Sequence, residues 1–203
     1  MPAERERIEA AIAALERRSA TELVVATVPA SDAYIALRLL YAFVLGLIAQ
    51  GCVHFTRPEI AFAWLSLAQL GTVVLVFILL GTAPVLRLLL SKPHAHHAVL
   101  RRAHEEFFAR ALFSTRERTG VLIFLSGLER QVVILGDEGI HARVKTQGWE
   151  QYVARIVQAI RQGRAADGVC QVIAELADVL EAAVPRSADD VNELPDTVRE
   201  EER

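Results

Sequence analysis

The chain has 203 residues, of which 53% are apolar, and its mean hydropathy is positive. That apolar share is high for a soluble protein, and most of the excess lies between residues 35 and 86. A formal net charge of −3 gives no indication of a nucleic-acid partner, and we expect none. The other residues, about 150, are enough for one modest soluble domain.

The first thirty residues predict a helix followed by one strand. Apolar residues recur at helical spacing from Pro2 to Ala20, and residues 21–28 (TELVVATV) form a β-branched run closed by Pro29. This strand is apolar on both faces, so it needs sheet partners and cover on two sides. We therefore expect residues 1–30 to be the first part of a domain that is completed later in the chain.

Two long apolar runs follow, and they predict a transmembrane helical hairpin over residues 35–86. The first run, residues 35–54, has one charged residue near its start, Arg38, and the second, residues 60–86, has none. A helix rises about 1.5 Å per residue, so roughly 20 apolar residues cross a bilayer core of about 30 Å. The polar segment HFTRPE separates the runs. An even number of crossings returns the chain to the side that it left.

Basic residues near the two runs predict the orientation of the hairpin. Arg17, Arg18 and Arg38 stand at its first end, four basic residues follow within residues 87–102, and the connecting loop has only Arg57. By the positive-inside rule, both termini are expected to be cytoplasmic, with the protein in a bacterial inner membrane.

Glycines in the runs are candidate contacts between helices. Gly46 with Gly51, or Gly71 with Gly81, could support a homo-oligomer, because small residues let membrane helices approach closely.

Residues 94–184 predict the second part of the domain. A helical pattern from His94 to Phe113 precedes two strands, residues 120–126 (GVLIFLS) and 131–135 (QVVIL). Four connecting residues allow only an antiparallel hairpin. Two helices with apolar faces follow, and residues 185–203, with seven acidic and three basic side chains, predict a disordered tail. The fold class is therefore α/β, with a small mixed sheet sandwiched by helices and interrupted by the hairpin.

Several of these segments resemble the TPM domain family. The resemblance lies in residues 120–126, in residues 132–144 (VVILGDEGIHARV), in Trp149 and in residues 163–168 (GRAADG), and residues 21–25 (TELVV) are similar to the first strand of the family. It covers about residues 1–30 and 94–184. This family is known from thylakoid proteins and from many bacterial membrane proteins. The present chain differs from the common layout because the hairpin divides the domain.

The resemblance implies an α/β sandwich and two functional alternatives. One is an accessory or interaction module that binds other membrane proteins within a membrane complex. The other is a calcium-dependent phosphatase, since some relatives are described as acid phosphatases and some bind calcium. No serine-nucleophile elbow, phosphate-binding glycine loop or Asp-x-Asp pair is present in the sequence, so a phosphatase would rest on the resemblance alone.

Asp137 and Glu138 are the candidate metal ligands. They lie in a turn bounded by Gly136 and Gly139, where glycine would tolerate a backbone with positive φ. Carboxylates collected there could bind calcium through oxygen, with Asp32, Asp167 and Glu22 as further candidates. Alternatively, Asp137 caps a short helix that begins near Ile140. Both interpretations remain open at this point.

A histidine cluster is the second candidate. It comprises His94, His96, His97 and His104. His97 and His104 share a helical face, which could hold zinc together with a carboxylate. The alternative is a juxtamembrane segment that faces anionic headgroups.

Overall fold

The computed structural model describes residues 2–144, 148–186 and 199–200, which contain eight α-helices, one 3-10 turn and four strands. The helices are α1 (Pro2–Glu16), α2 (Ile35–Thr56), α3 (Phe62–Leu80), α4 (Ala83–Leu89), α5 (Lys92–Ala109), α6 (Glu138–Arg143), α7 (Trp149–Arg161) and α8 (Ala165–Ala183). The strands are β1 (Glu22–Val28), β2 (Gly120–Ser126), β3 (Gln131–Gly136) and β4 (Arg199–Glu200). The chain forms two compact units, one of residues 1–31 with 96–203 and the other of residues 32–95.

The first unit is built on a mixed sheet with the order β3-β2-β1-β4. β1 and β2 run parallel, from Glu22 opposite Gly120 to Val28 opposite Ser126. β2 and β3 are antiparallel, as the four-residue connection predicts. Parallel neighbours need a long connection. Here residues 29–119 make that connection, and they include α2 and α3.

The fourth strand comes from the acidic end of the chain. Arg199 and Glu200 pair in parallel with Ala26 and Thr27. Just after α8, Pro185 forms an antiparallel bridge with Ser19. Residues 187–198 and 201–203, the greater part of the predicted disordered tail, lie outside the described residues.

Helices cover both faces of the sheet because the strands are apolar on both faces. Leu23 and Val25 of β1 belong to an apolar cluster with side chains of α1, α6, α7 and α8. Val24, Ala26 and Val28 point the other way, into a second cluster with α5 and the 3-10 turn. The small mixed sheet between helices that the sequence predicts is therefore present.

The helix predicted from His94 to Phe113 is shorter than expected. It ends at Ala109, and Ala111 takes a left-handed conformation with φ of 54°. The 3-10 turn, Leu112–Ser114, then turns the fully buried Leu112 into the second cluster. Residue 120 packs so closely against this turn that only glycine fits, because a Cβ there would lie 2.3 Å from the Leu112 carbonyl oxygen.

The second apolar run divides into two helices. α3 ends at Leu80, and the Thr82 hydroxyl donates to the Leu79 carbonyl at 2.8 Å. Pro84 stands in the first turn of α4 and has no N–H with which to continue α3. The prediction of one continuous span over residues 60–86 is therefore wrong after Leu80.

Two polar contacts join α2 to α3 within the second unit. The Gln69 amide, oriented so that its nitrogen donates, bonds the Gly46 carbonyl at 2.6 Å. Near the start of α2, Arg38 Nη2 donates to the Phe77 carbonyl at 3.0 Å, and the guanidinium carbon lies 4.1 Å from the centroid of the Phe77 ring. This cation is at the C-terminal turn of α3, where the helix dipole favours positive charge.

The four glycines of these helices serve different purposes. Gly46 faces Gln69, and Gly81 faces the Arg38 guanidinium, so both make room for contacts inside the hairpin. No heavy atom lies within 4 Å of a Cβ built on Gly51 or Gly71. The expectation that Gly46 and Gly81 meet another copy is thus revised.

Replacing Phe124 tests the second apolar cluster. Phe124 is fully buried, so Phe124→Ala should lower the free energy of unfolding by about 3–5 kcal/mol. Urea unfolding of the full chain in detergent micelles, followed by Trp149 fluorescence in a Trp64→Phe background, measures this loss. The control is Phe108→Ala, because Phe108 is 62% exposed and should cost less than about 0.5 kcal/mol. Equal losses would contradict the described packing.

Candidate functional site

The predicted turn at residues 136–139 lies between the end of β3 and the start of α6, beside the segment that enters β2. β3 ends at Gly136, and the Asp137 amide donates to the Gly120 carbonyl at the start of β2, at 2.9 Å. The Gly139 amide donates to the Arg118 carbonyl at 3.0 Å. The turn is therefore fastened to the segment that enters β2.

Close packing, rather than positive φ, explains both glycines of the turn. A Cβ on Gly139 would lie 2.3 Å from the Glu117 carbonyl oxygen, and one on Gly136 would lie 2.8 Å from the Trp149 ring. Neither glycine has positive φ, whereas Arg118, on the facing segment, has φ of 59°. The turn therefore makes no use of the positive φ that these glycines would tolerate.

Asp137 caps α6, as one of the two interpretations predicts. Its Oδ1 accepts from the Glu138 amide at 2.8 Å, and its own carbonyl accepts from the His141 amide at 3.0 Å. The His141 Nδ1 also lies 2.9 Å from that carbonyl. Capping satisfies an amide that the first turn of a helix leaves without an intrahelical partner.

Arg118 holds the same carboxylate through two nitrogens. Nε lies 2.7 Å from Asp137 Oδ2, and Nη2 lies 3.0 Å from Oδ1. Asp137 is only 7% exposed, whereas half of the Arg118 side chain is in solvent. The hydrogen bond with Asp137, and then its charge, raise the pKa of Arg118 above its ordinary value. The guanidinium therefore occupies the position that a cation bound to Asp137 would need.

The other predicted acidic ligands have separate surroundings. Glu138 is exposed, Asp167 accepts from Arg7 Nη2 at 2.6 Å, and Asp32 accepts from the Tyr34 amide at 3.0 Å. Glu22 is 8% exposed and lies opposite Gly120, at the same end of the sheet as Asp137. Within the described residues, no three His, Cys, Asp or Glu side chains are grouped as metal ligands.

The histidines also have different neighbours. His96 Nδ1 lies 3.1 Å from the Gln131 side-chain oxygen, and His104 Nδ1 lies 2.7 Å from the Leu100 carbonyl. His94 stands beside the Tyr34 ring, with 6.2 Å between centroids, and His97 is exposed. These contacts do not gather the four rings around one point.

A second polar network, at the opposite end of the sheet, was not predicted. The Ser126 hydroxyl donates to the Glu129 carboxylate, and the Ser31 hydroxyl donates to Ser126 Oγ at 2.8 Å. The Ser31 amide also donates to Glu129 Oε1 at 3.1 Å. The carboxyl ends of parallel strands lie at the same end of a sheet. Ser126 ends β2 and Ser31 follows β1, so a parallel pairing of these strands would have predicted that the two serines are close. The network fastens the β2–β3 turn to the segment after β1.

Comparison with known proteins identifies a shared fold. No family model matches the chain, and no curated protein matches it. Among solved structures, the chain is similar to the NMR structure of the BA42 protein from the psychrophilic bacterium Bizionia argentinensis sp. nov.. The sequences are 19% identical, with a TM-score of 0.62, over 99% of this chain and 94% of that chain. The two proteins share a fold. At this identity the likeness concerns architecture alone.

Replacing Asp137 separates its capping role from its charge. Asp137→Ala removes the cap and should lower the free energy of unfolding by about 1–2 kcal/mol. Asp137→Asn keeps an acceptor for the Glu138 amide, so its loss should be smaller. The measurement is urea unfolding of the full chain in micelles. The control is Glu138→Gln, because Glu138 is exposed and its replacement should lower the free energy of unfolding by less than about 0.5 kcal/mol.

Two results would contradict this account of Asp137. The first is a loss in Glu138→Gln as large as that in Asp137→Ala. The second is a rise in the unfolding midpoint with calcium in the parent chain that Asp137→Asn abolishes, because a bound ligand stabilises the native state.

Proposed function

We propose that this chain is an integral membrane protein whose hairpin anchors a cytoplasmic TPM-like domain, and that the domain is an accessory module that binds other membrane proteins. The apolar surface of α2 and α3 carries the proposal. Among the described residues, only Phe108, Phe113 and Val179 are exposed large apolar side chains outside residues 35–88. A continuous apolar surface of this kind is unfavourable in water and suits a lipid environment.

The dimensions and burial of α2 and α3 support insertion. With 22 and 19 residues, they are about 33 and 28 Å long, close to the thickness of a bilayer core. Only 11% of the apolar stretch of each helix is buried. A core helix of a soluble protein would be mostly buried.

Several polar groups of the hairpin find partners inside it. The Ser66 hydroxyl donates to the Phe62 carbonyl at 3.0 Å, and the Thr72 hydroxyl donates to the Ala68 carbonyl at 2.9 Å. The Gln69 and Arg38 contacts described above act in the same way. Lipid offers no hydrogen-bond partners, so internal pairing of this kind favours insertion.

A binding role suits the polar networks of the domain better than catalysis does. Arg118 neutralises Asp137, and Glu129 accepts from Ser31 and Ser126. A calcium-dependent phosphatase would require Asp137 to exchange Arg118 for a cation. The accessory role therefore takes precedence, and calcium binding stays a prediction.

Cysteine labelling tests the anchoring and the orientation. In the full chain with Cys52→Ser and Cys170→Ser, single cysteines are placed at Ala10, Arg57 and Gln158, which are all exposed. A membrane-impermeant maleimide should label Arg57→Cys in intact cells, and the other two only after permeabilisation, because both termini are placed in the cytoplasm.

The matched control is carbonate extraction, which should leave the full chain in the membrane pellet. Release into the supernatant would contradict the anchor. Labelling of Ala10→Cys and Gln158→Cys from opposite sides would contradict the hairpin.

A further inference from the structure

One face of α5 is exposed and combines basic with aromatic side chains. His97, Arg101, His104 and Phe108 recur at helical spacing, so they line one side of the helix, and all four are exposed. Val99 lies on the other side and packs into the second apolar cluster. We call the exposed side, together with Phe113, the basic–aromatic face.

The ion pairs of α5 leave its charge positive. Arg101 Nε lies 3.8 Å from Glu105 Oε1, and Arg102 Nη1 lies 3.4 Å from Oε2 of the same carboxylate. Glu106 is shared in turn by Arg102 and Arg110. These three arginines outnumber the two glutamates, so the group attracts anions.

The histidines of this face can add to its charge. His104 Nδ1 lies 2.7 Å from the Leu100 carbonyl, which only accepts, so Nδ1 is the donor. Protonation of the ring then adds a second donor at Nε2. A phosphate oxygen is an acceptor of the kind that an exposed imidazolium binds.

Two phenylalanines form the apolar end of the face. The rings of Phe108 and Phe113 lie 5.4 Å apart between centroids, and both side chains are exposed. Exposed aromatic rings beside basic side chains are typical of helices that lie in the headgroup region of a membrane.

We propose that the basic–aromatic face binds the anionic phospholipid headgroups of the membrane that holds the hairpin. α5 begins at Lys92, soon after α3 ends at Leu80, and residues 60–104 contain no acidic side chain. The cytoplasmic leaflet is negatively charged and attracts basic segments that follow a membrane helix. The proposal rests on the proposed anchoring and adds a second contact between the chain and the bilayer.

Quenching by brominated lipid tests this contact. Phe108→Trp is introduced in a Trp64→Phe background, where the buried Trp149 gives the baseline. The full chain is reconstituted in vesicles of phosphatidylcholine brominated near the headgroup, either alone or with about 30% phosphatidylglycerol. Bromine quenches an indole that it contacts, so we expect about threefold more quenching of the new indole with phosphatidylglycerol than without it.

The charge and the location of the face each have a matched variant. Arg101→Gln, added to Phe108→Trp, should lower the ratio of bound to unbound face about fivefold, whereas Arg101→Lys should keep it. Val179→Trp is the control for location, because Val179 is exposed on α8, which packs into the first apolar cluster on the other side of the sheet. Its quenching should be low in both lipids.

Three results would overturn the headgroup contact. They are equal quenching of Phe108→Trp and Val179→Trp, equal quenching of Phe108→Trp in the two lipids, and an undiminished signal in Arg101→Gln. The parent chain distinguishes such a failure from a failure of the anchor, because its Trp64 in α3 should be quenched in both lipids if the hairpin is inserted.

Discussion

The parallel pairing of β1 with β2 is the constraint on which the rest of the structure depends. It joins residues 22–28 to residues 120–126 across a connection that contains both apolar helices. β1 is apolar on both faces, so it is stable only between two layers of helices. If α2 and α3 cross a membrane, as we propose, they must cross it twice, because only an even number of crossings lets the two strands meet.

Polar side chains also join the two helices of the hairpin. Arg38 lies at the end where the chain enters α2, and its cation meets the C-terminal turn of α3. Gln69 meets the backbone of α2 at Gly46, where no side chain intervenes. These contacts join α2 to α3 and give polar groups of Gln69 and Arg38 partners within the hairpin, although the buried Arg38 Nε has no hydrogen-bond partner within the described residues.

The sequence was sufficient for features set by local pattern. The β-branched run before Pro29 and the four residues between β2 and β3 are such patterns, and the structure has the predicted strands. Contacts between distant segments were harder to predict. An antiparallel hairpin places the start of β2 beside the end of β3, so the pair of Arg118 with Asp137 could have been inferred from topology.

Other features depend on three-dimensional packing and had no local signal. Gly139 is required by the approach of the Glu117 carbonyl, and Gly120 by that of the Leu112 carbonyl. The pairing of Arg199 and Glu200 with β1 could not be read from an acidic, aperiodic segment. In each case the partner is not a neighbour in the sequence, and composition does not indicate it.

One measurement tests the pairing of β1 with β2 most directly. Thr27 and Leu125 are Cα partners and are both partly exposed. The variant carries Thr27→Cys and Leu125→Cys, together with Cys52→Ser and Cys170→Ser. A protease site is placed in the loop at Arg57. The full chain is oxidised and cleaved in the membrane, and it is then denatured without reductant. The account predicts that the two fragments migrate together until the disulfide is reduced. Separate fragments before reduction would contradict it.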